Sequence, residues 1–168
     1  NEIPANNEGF DAHSSLDGWW AWSNRALIWL RSPENTEATR VEMGFEPDFI
    51  GENLIFVSLD HQSVMKMPRD LSDFPRALYT AENQNTLTIK VGPLEEQIVV
   101  IEKDENDYLS IFELSPDGVQ ITNRVYAPSA AGGEFPKLSR HPQRNQYLIS
   151  ALDGVAQGIS LIDGSTGI

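Results

Sequence analysis

The 168-residue chain contains no cysteine, which excludes a disulfide framework, thiol catalysis and zinc sites built on cysteine ligands. The compartment stays open, because many extracytoplasmic proteins also lack cysteine. No apolar run approaches the roughly 18 residues that carry a helix across a bilayer, so no membrane insertion is expected within this chain. No secretory signal is visible, and the start at Asn1 rather than methionine reads as processing or excision, which leaves room for a targeting segment upstream. Basic residues are scarce: 12 Lys and Arg against 25 Asp and Glu give a formal net charge of −13. Such a surface repels polyanions and argues against nucleic acid and anionic lipid as partners. Solubility is the ordinary account of that acidity, an acidic docking surface the alternative.

Helical stripes are also missing. Residues 72–81 come nearest, and Pro75 in their middle would break a helix. There is no P-loop, no dinucleotide fingerprint and no G-x-S-x-G elbow. The expectation is therefore a non-enzyme with no cofactor and no catalytic residues.

What is present is repetition. Short runs rich in Ile, Val, Leu and aromatics are bounded by Gly, Pro, Asn and Asp, the pattern of strands and turns. The first unit reads as strands at 10–14, 19–22, 25–30 and 39–43, with Ser23-Asn24 between the middle two. The second runs 46–50, 54–58, 63–67 and 76–79. The third follows at 86–91, 97–101, 108–114 and 120–126, with Ser115-Pro116-Asp117-Gly118 as a clear hairpin turn. The fourth supplies three strands at 135–140, 146–151 and 158–162. Second strands start at 19, 54, 97 and 146, a spacing of roughly 35 to 50 residues that fits propeller blades. The predicted fold is all-β, a β-propeller-like single domain of about four antiparallel units (8–44, 45–82, 83–131 and 132–168), the last blade incomplete.

The run Phe10-Asp11-Ala12-His13-Ser14-Ser15-Leu16-Asp17-Gly18-Trp19 resembles the opening of TolB/PD40-type propeller repeats, aromatic-x-x-S-P-D-G, with Leu16 where that family prefers proline. Pro47-Asp48-Phe49-Ile50-Gly51-Glu52-Asn53 starts a looser copy, and Ile159-Ser160-Leu161-Ile162-Asp163-Gly164-Ser165-Thr166-Gly167 resembles the D-x-x-T-G closing segment. The resemblance implies a propeller outside the cytoplasm, periplasmic or secreted, of the kind found in envelope interaction proteins and membrane-anchored regulators.

Candidate chemistry is sparse. His13, His61 and His141 fit no local metal motif and read as turn histidines, although His13 and His141 could converge across a propeller axis. Asp104-Glu105-Asn106-Asp107 has oxygen ligands but not the glycine or distal glutamate of an EF-hand, and reads as a solvated turn. Glu95 and Glu96 are adjacent in an extended segment, where neighbours face opposite sides. Ser14 and Ser139 stand beside His13 and His141 without forming a triad.

The aromatics carry more. Alternation puts Trp20 and Trp22 on one face and Trp19 on the other. Inter-blade filling is the expected role, while a ligand platform or partner hot spot is the functional one. An unpaired terminal blade would leave one tryptophan face open. The candidate binding residues are Trp19, Trp20 and Trp29, with Gly158, Ser160 and Ile162 on an exposed edge strand. The expected function is a non-catalytic binding module for a protein partner or small ligand. A chain completing its last blade with another copy, as a homo-oligomer, and an accessory propeller of a peptidase or glycan hydrolase are the alternatives. Residues 1–7, with Pro4, are poor material for closing the ring from within. A piece of a larger propeller, or one completed by a partner, is therefore favoured.

Overall fold

Antiparallel strands account for all the regular structure described. The computed structural model describes residues 11–92, 96–106, 108–127, 137–140, 146–152 and 157–163. β1 (Asp11–Ser14), β2 (Trp20–Asn24), β3 (Leu27–Arg31), β4 (Thr39–Ile50), β5 (Asn53–Ser58), β6 (Ser63–Pro68) and β7 (Arg76–Thr80) form one sheet in that order. β8 (Thr86–Val91), β9 (Ile98–Lys103), β10 (Leu109–Leu114) and β11 (Val125–Ala127) form a second, with β8 and β11 at its edges. β12 (Lys137–Arg140), β13 (Gln146–Leu152) and β14 (Gln157–Asp163) form a third. The expected strands thus form in this order, with the last of the third unit confined to Val125–Ala127, except that the first two blades share a strand.

That strand is β4. Its first residues pair with β3 and its last with β5; between them Glu46 takes a left-handed φ of 51° and the register shifts between Phe45 and Asp48. The bend turns the chain back across the first blade, so that β4 also packs against β1 and β2. Gly44 sits at the closest approach, where a Cβ would overlap the Val57 carbonyl oxygen. Two separate strands at 39–43 and 46–50 were expected, and one bent strand forms instead. The innermost strands then stand side by side: β4 against β1 and β8, and β12 against β8.

Period-two alternation explains the packing between blades. Ala21, Ile28 and Leu30 of the first blade meet Phe49, Leu54, Phe56 and Met67 of the second. The opposite side of the second blade (Ile50, Ile55, Val57 and Val64) meets Val91, Ile98, Val100, Phe112 and Leu114 of the third. The third blade's other face buries Val99, Ile101, Leu109 and Ile111. β9 and β10 are buried along nearly their whole length because both faces are covered; β9 opens on the continuous apolar run Ile98–Ile101, whereas β10 also buries Ser110 and Glu113. β2 and β3 alternate instead, buried on one face only.

Three hairpin turns share one chemistry. In Ser15–Gly18, Ser58–His61 and Ser115–Gly118 the fourth residue donates its N–H to the serine carbonyl, at 3.3, 2.9 and 2.9 Å. The serine hydroxyl accepts an N–H beyond the turn, from Trp19, Ser63 and Val119 at 2.9, 2.9 and 3.2 Å. The fourth residue has a left-handed φ each time: 90° at Gly18, 61° at His61 and 84° at Gly118. Histidine thus stands where the other two turns have glycine. The β2–β3 turn is at Arg25 and Ala26, both left-handed, two residues later than Ser23-Asn24.

Candidate functional site

The first blade's outward face is the most distinctive surface. Two cross-strand rows run over it: Ser14, Trp20 and Arg31, then Ala12, Trp22, Trp29 and Arg40. Residues directly opposite in an antiparallel pair share a face. Trp20 is 44% exposed, and Trp22 and Trp29 are half-buried. Inter-blade filling was the expected role of the tryptophans. Trp19 fulfils it, packing on the core between the first two blades; the other three lie on the opposite face of the sheet.

At the end of this face lies a cleft of about 580 Å³, lined by Trp20, Arg31, Gly18, Ser32, Pro33, Asn35 and Thr36. A neighbouring cleft of about 390 Å³ lies over Trp19 and Leu30, with Arg69, Asp70, Glu34 and Glu37 on its walls. Arg69 organises this second cleft. Its guanidinium lies 5.1 Å from the centre of the Trp19 ring and holds Asp17 through two bonds of 2.7 and 2.5 Å. That fork, with the Ser15 hydroxyl at 2.6 Å, keeps the Asp17 carboxyl below the usual carboxylate range. A turn of the first blade is thereby tied to the β6–β7 loop of the second. Lys66 does the same on the other side, donating to the Pro116 carbonyl at 2.9 Å.

Charged groups also gather where the innermost strands meet. Lys90 on β8 donates to the ring of His13 on β1. Glu46 accepts the Ile89 N–H at 2.8 Å, and Asp48 accepts the Val91 N–H at 3.1 Å. Asp48 is 2% exposed and Lys90 9%. His13 therefore does face the inner strands; His141, its expected counterpart, and Ser139's neighbouring turn lie outside the described residues. His61 stacks on Phe45 at 4.2 Å.

A third group, between the second and third blades, is structural in geometry. Glu102, 4% exposed, accepts from Tyr79 Oη (2.6 Å), Asn85 Nδ2 (2.6 Å) and Arg124 (2.9 Å). Burial, with donation to Glu102, pushes the Tyr79 hydroxyl up to about 12. Burial works against the Arg124 charge, but its bonds to Glu102 and Tyr79 outweigh that and hold the guanidinium above its ordinary value. Sequence reading missed this cluster, whose donors lie 17 to 23 residues from Glu102 along the chain, on both sides of it.

The remaining candidates are placed as follows. Asp104 accepts the N–H groups of Asn106 and Tyr108, both at 2.9 Å, so its carboxylate shapes the turn. Asp107 and Glu95 lie outside the described residues, and Glu96 is exposed. Gly158, Ser160 and Ile162 lie on β14, opposite Ala151, Ile149 and Tyr147 of β13, on the last strand of the third sheet.

No family model and no curated protein matches the chain. Solved structures do. Prolyl oligopeptidase B from Galerina marginata is 18% identical, with a TM-score of 0.61 over 96% of this chain and 26% of that one. A chain of the nidogen/laminin complex is 15% identical, with a TM-score of 0.64 over 89% of this chain and 58% of that one. The chain therefore spans about a quarter and somewhat over half of these two neighbours. Their matching regions are propeller-type folds, and the likeness assigns this chain the fold of a partial β-propeller.

Proposed function

We propose that this chain is a non-catalytic binding module, a set of propeller blades that receives a protein partner or small ligand on the outward face of its first blade. The observation that supports this is the row of tryptophans on that face. Burying one such ring on a partner contributes on the order of 2 kcal/mol or more, and Trp and Arg are the commonest hot-spot residues. The charges elsewhere (buried Glu102 and Asp48, half-buried Glu46) hold blades together instead of pointing into a cleft. The TolB-type assignment and a setting outside the cytoplasm belong to the same reading, supported by the Ser-x-Asp-Gly turns at Ser15–Gly18 and Ser115–Gly118.

Selection of displayed peptides on the immobilised chain tests it. Selected peptides should lose binding to Trp20→Ala/Trp29→Ala. If they bind wild type and variant alike, the face is not the binding site and the reading falls.

A second reading is favoured by one comparison. Almost the whole chain superposes on a quarter of a prolyl oligopeptidase, which supports an accessory propeller of a peptidase. Mass spectrometry of the endogenous polypeptide separates the two, because only the accessory reading requires a hydrolase domain on the same chain.

A further inference from the structure

We infer that the partner of the first blade's outward face is an acidic polypeptide segment, its carboxylates meeting Arg31 and Arg40 and its apolar side chains lying over Trp20, Trp22 and Trp29. This inference rests on the binding reading above and adds the partner's chemistry.

The charge distribution carries it. The chain has about twice as many acidic as basic residues, 25 against 12, yet the two described cross-strand rows of this face hold no carboxylate. Each row that begins on β1 ends in arginine: Trp20 faces Arg31, and Trp29 faces Arg40. Glu42 stands opposite Ile28, on the other side of the sheet. Both arginines are exposed. A guanidinium offers a planar fork that matches a carboxylate, and beside an indole the pair fits an acidic side chain next to an apolar one.

Shape agrees with charge. The cleft of about 580 Å³ at the end of the face is bounded by Trp20 and Arg31. It offers room for one carboxylate-bearing side chain, while the flat row of Trp22 and Trp29 suits extended apolar contact. A nucleic acid carries a charge about every 3.4 Å of strand and would meet the chain's net charge of −13 along its whole length, whereas a short segment with one or two carboxylates need meet only Arg31 and Arg40. A two-fold contact with a second copy on this face would set arginine against arginine.

Fluorescence anisotropy of labelled short peptides against the 168-residue chain tests the inference, using peptides that alternate leucine with glutamate, glutamine or lysine. The glutamate peptide is expected to bind at least about tenfold more tightly than the lysine peptide, a difference of about 1.4 kcal/mol. Arg31→Glu/Arg40→Glu should invert that preference, and Arg31→Gln/Arg40→Gln should abolish it. Both pairs are exposed substitutions whose folding is checked by near-UV circular dichroism. Trp20→Ala/Trp29→Ala should weaken every peptide. Equal binding of the three peptides, or a preference unmoved by the arginine variants, overturns the acidic partner while leaving the binding face intact. Binding of none overturns the acidic segment; loss of the displayed-peptide result as well removes the binding reading. A mass that rises with concentration and falls with Trp20→Ala/Trp29→Ala identifies a second copy as occupant and also overturns the inference.

Discussion

The Asp48 carboxylate on β4 accepts the backbone N–H of Val91 on β8 at 3.1 Å, while its other oxygen accepts the Phe49 N–H at 2.9 Å. A side chain thus supplies the hydrogen bond where the innermost strands of two blades meet without forming a ladder. Asp48→Ala removes the carboxylate that accepts from these two buried N–H groups and is expected to lower stability by about 2–4 kcal/mol. Urea unfolding should show a lower midpoint at unchanged slope. Asp48→Asn, which keeps one acceptor, should lose less. Equal losses would show that the acceptor kept by asparagine contributes nothing.

Removing Arg124 strands the Glu102 charge inside the protein. Arg124→Met is expected to cost about 3 kcal/mol or more, and Tyr79→Phe about 1–2 kcal/mol. Adding Glu102→Leu to Arg124→Met should recover part of the loss, because the unpaired charge goes with it. A double variant less stable than Arg124→Met would refute this account.

His61 gives a pH signature. Burial against Phe45 lowers its pKa from the ordinary 6.5, although Asp60 opposes the shift. The unfolded chain then binds the proton more tightly, so this contribution is complete above about pH 6.5 and declines as pH falls toward the depressed folded value. Unfolding midpoints measured from pH 7.5 to 5.5 should fall more steeply for wild type than for His61→Asn, which tolerates the left-handed φ and does not titrate there. Parallel slopes would assign the pH dependence to other groups.

The two glycine-bearing turns should respond unequally. Gly18→Ala meets only an ordinary contact with Pro33, so its left-handed φ is the main cost, about 1 kcal/mol. Gly118→Ala carries the same strain and also drives a Cβ into the Leu78 carbonyl. The thermal midpoint should drop further for Gly118→Ala; a reversed order would contradict the packing of that turn on the second blade.

Most of the strands were legible because sheets buried on both faces need apolar runs such as Leu54–Val57 and Ile98–Ile101, and the Ser-x-Asp-Gly turns announce their own hydrogen bonds. The turn at Arg25 and Ala26 was not, since neither residue type signals a left-handed backbone. Two strands merged into β4 because nothing at Gly44–Pro47 forces a break: Glu46 absorbs the bend. The tryptophans were correctly divided between faces by alternation, but which face a neighbouring sheet covers is a tertiary fact. His13 and Lys90, 77 residues apart, and Glu102 with its three donors become neighbours only after the blades assemble.

The bent strand β4 makes the repeating unit of the sequence different from the unit of cooperativity. With hydrogen bonds to β3 at one end and β5 at the other, it gives the first two blades no linker to cleave and no seam along which one can open alone. Residues 11–80 should therefore exchange their protected amide hydrogens as one foldon, at a common free energy. The second and third blades, joined through separate strands and side-chain bridges, have a boundary where opening can stop.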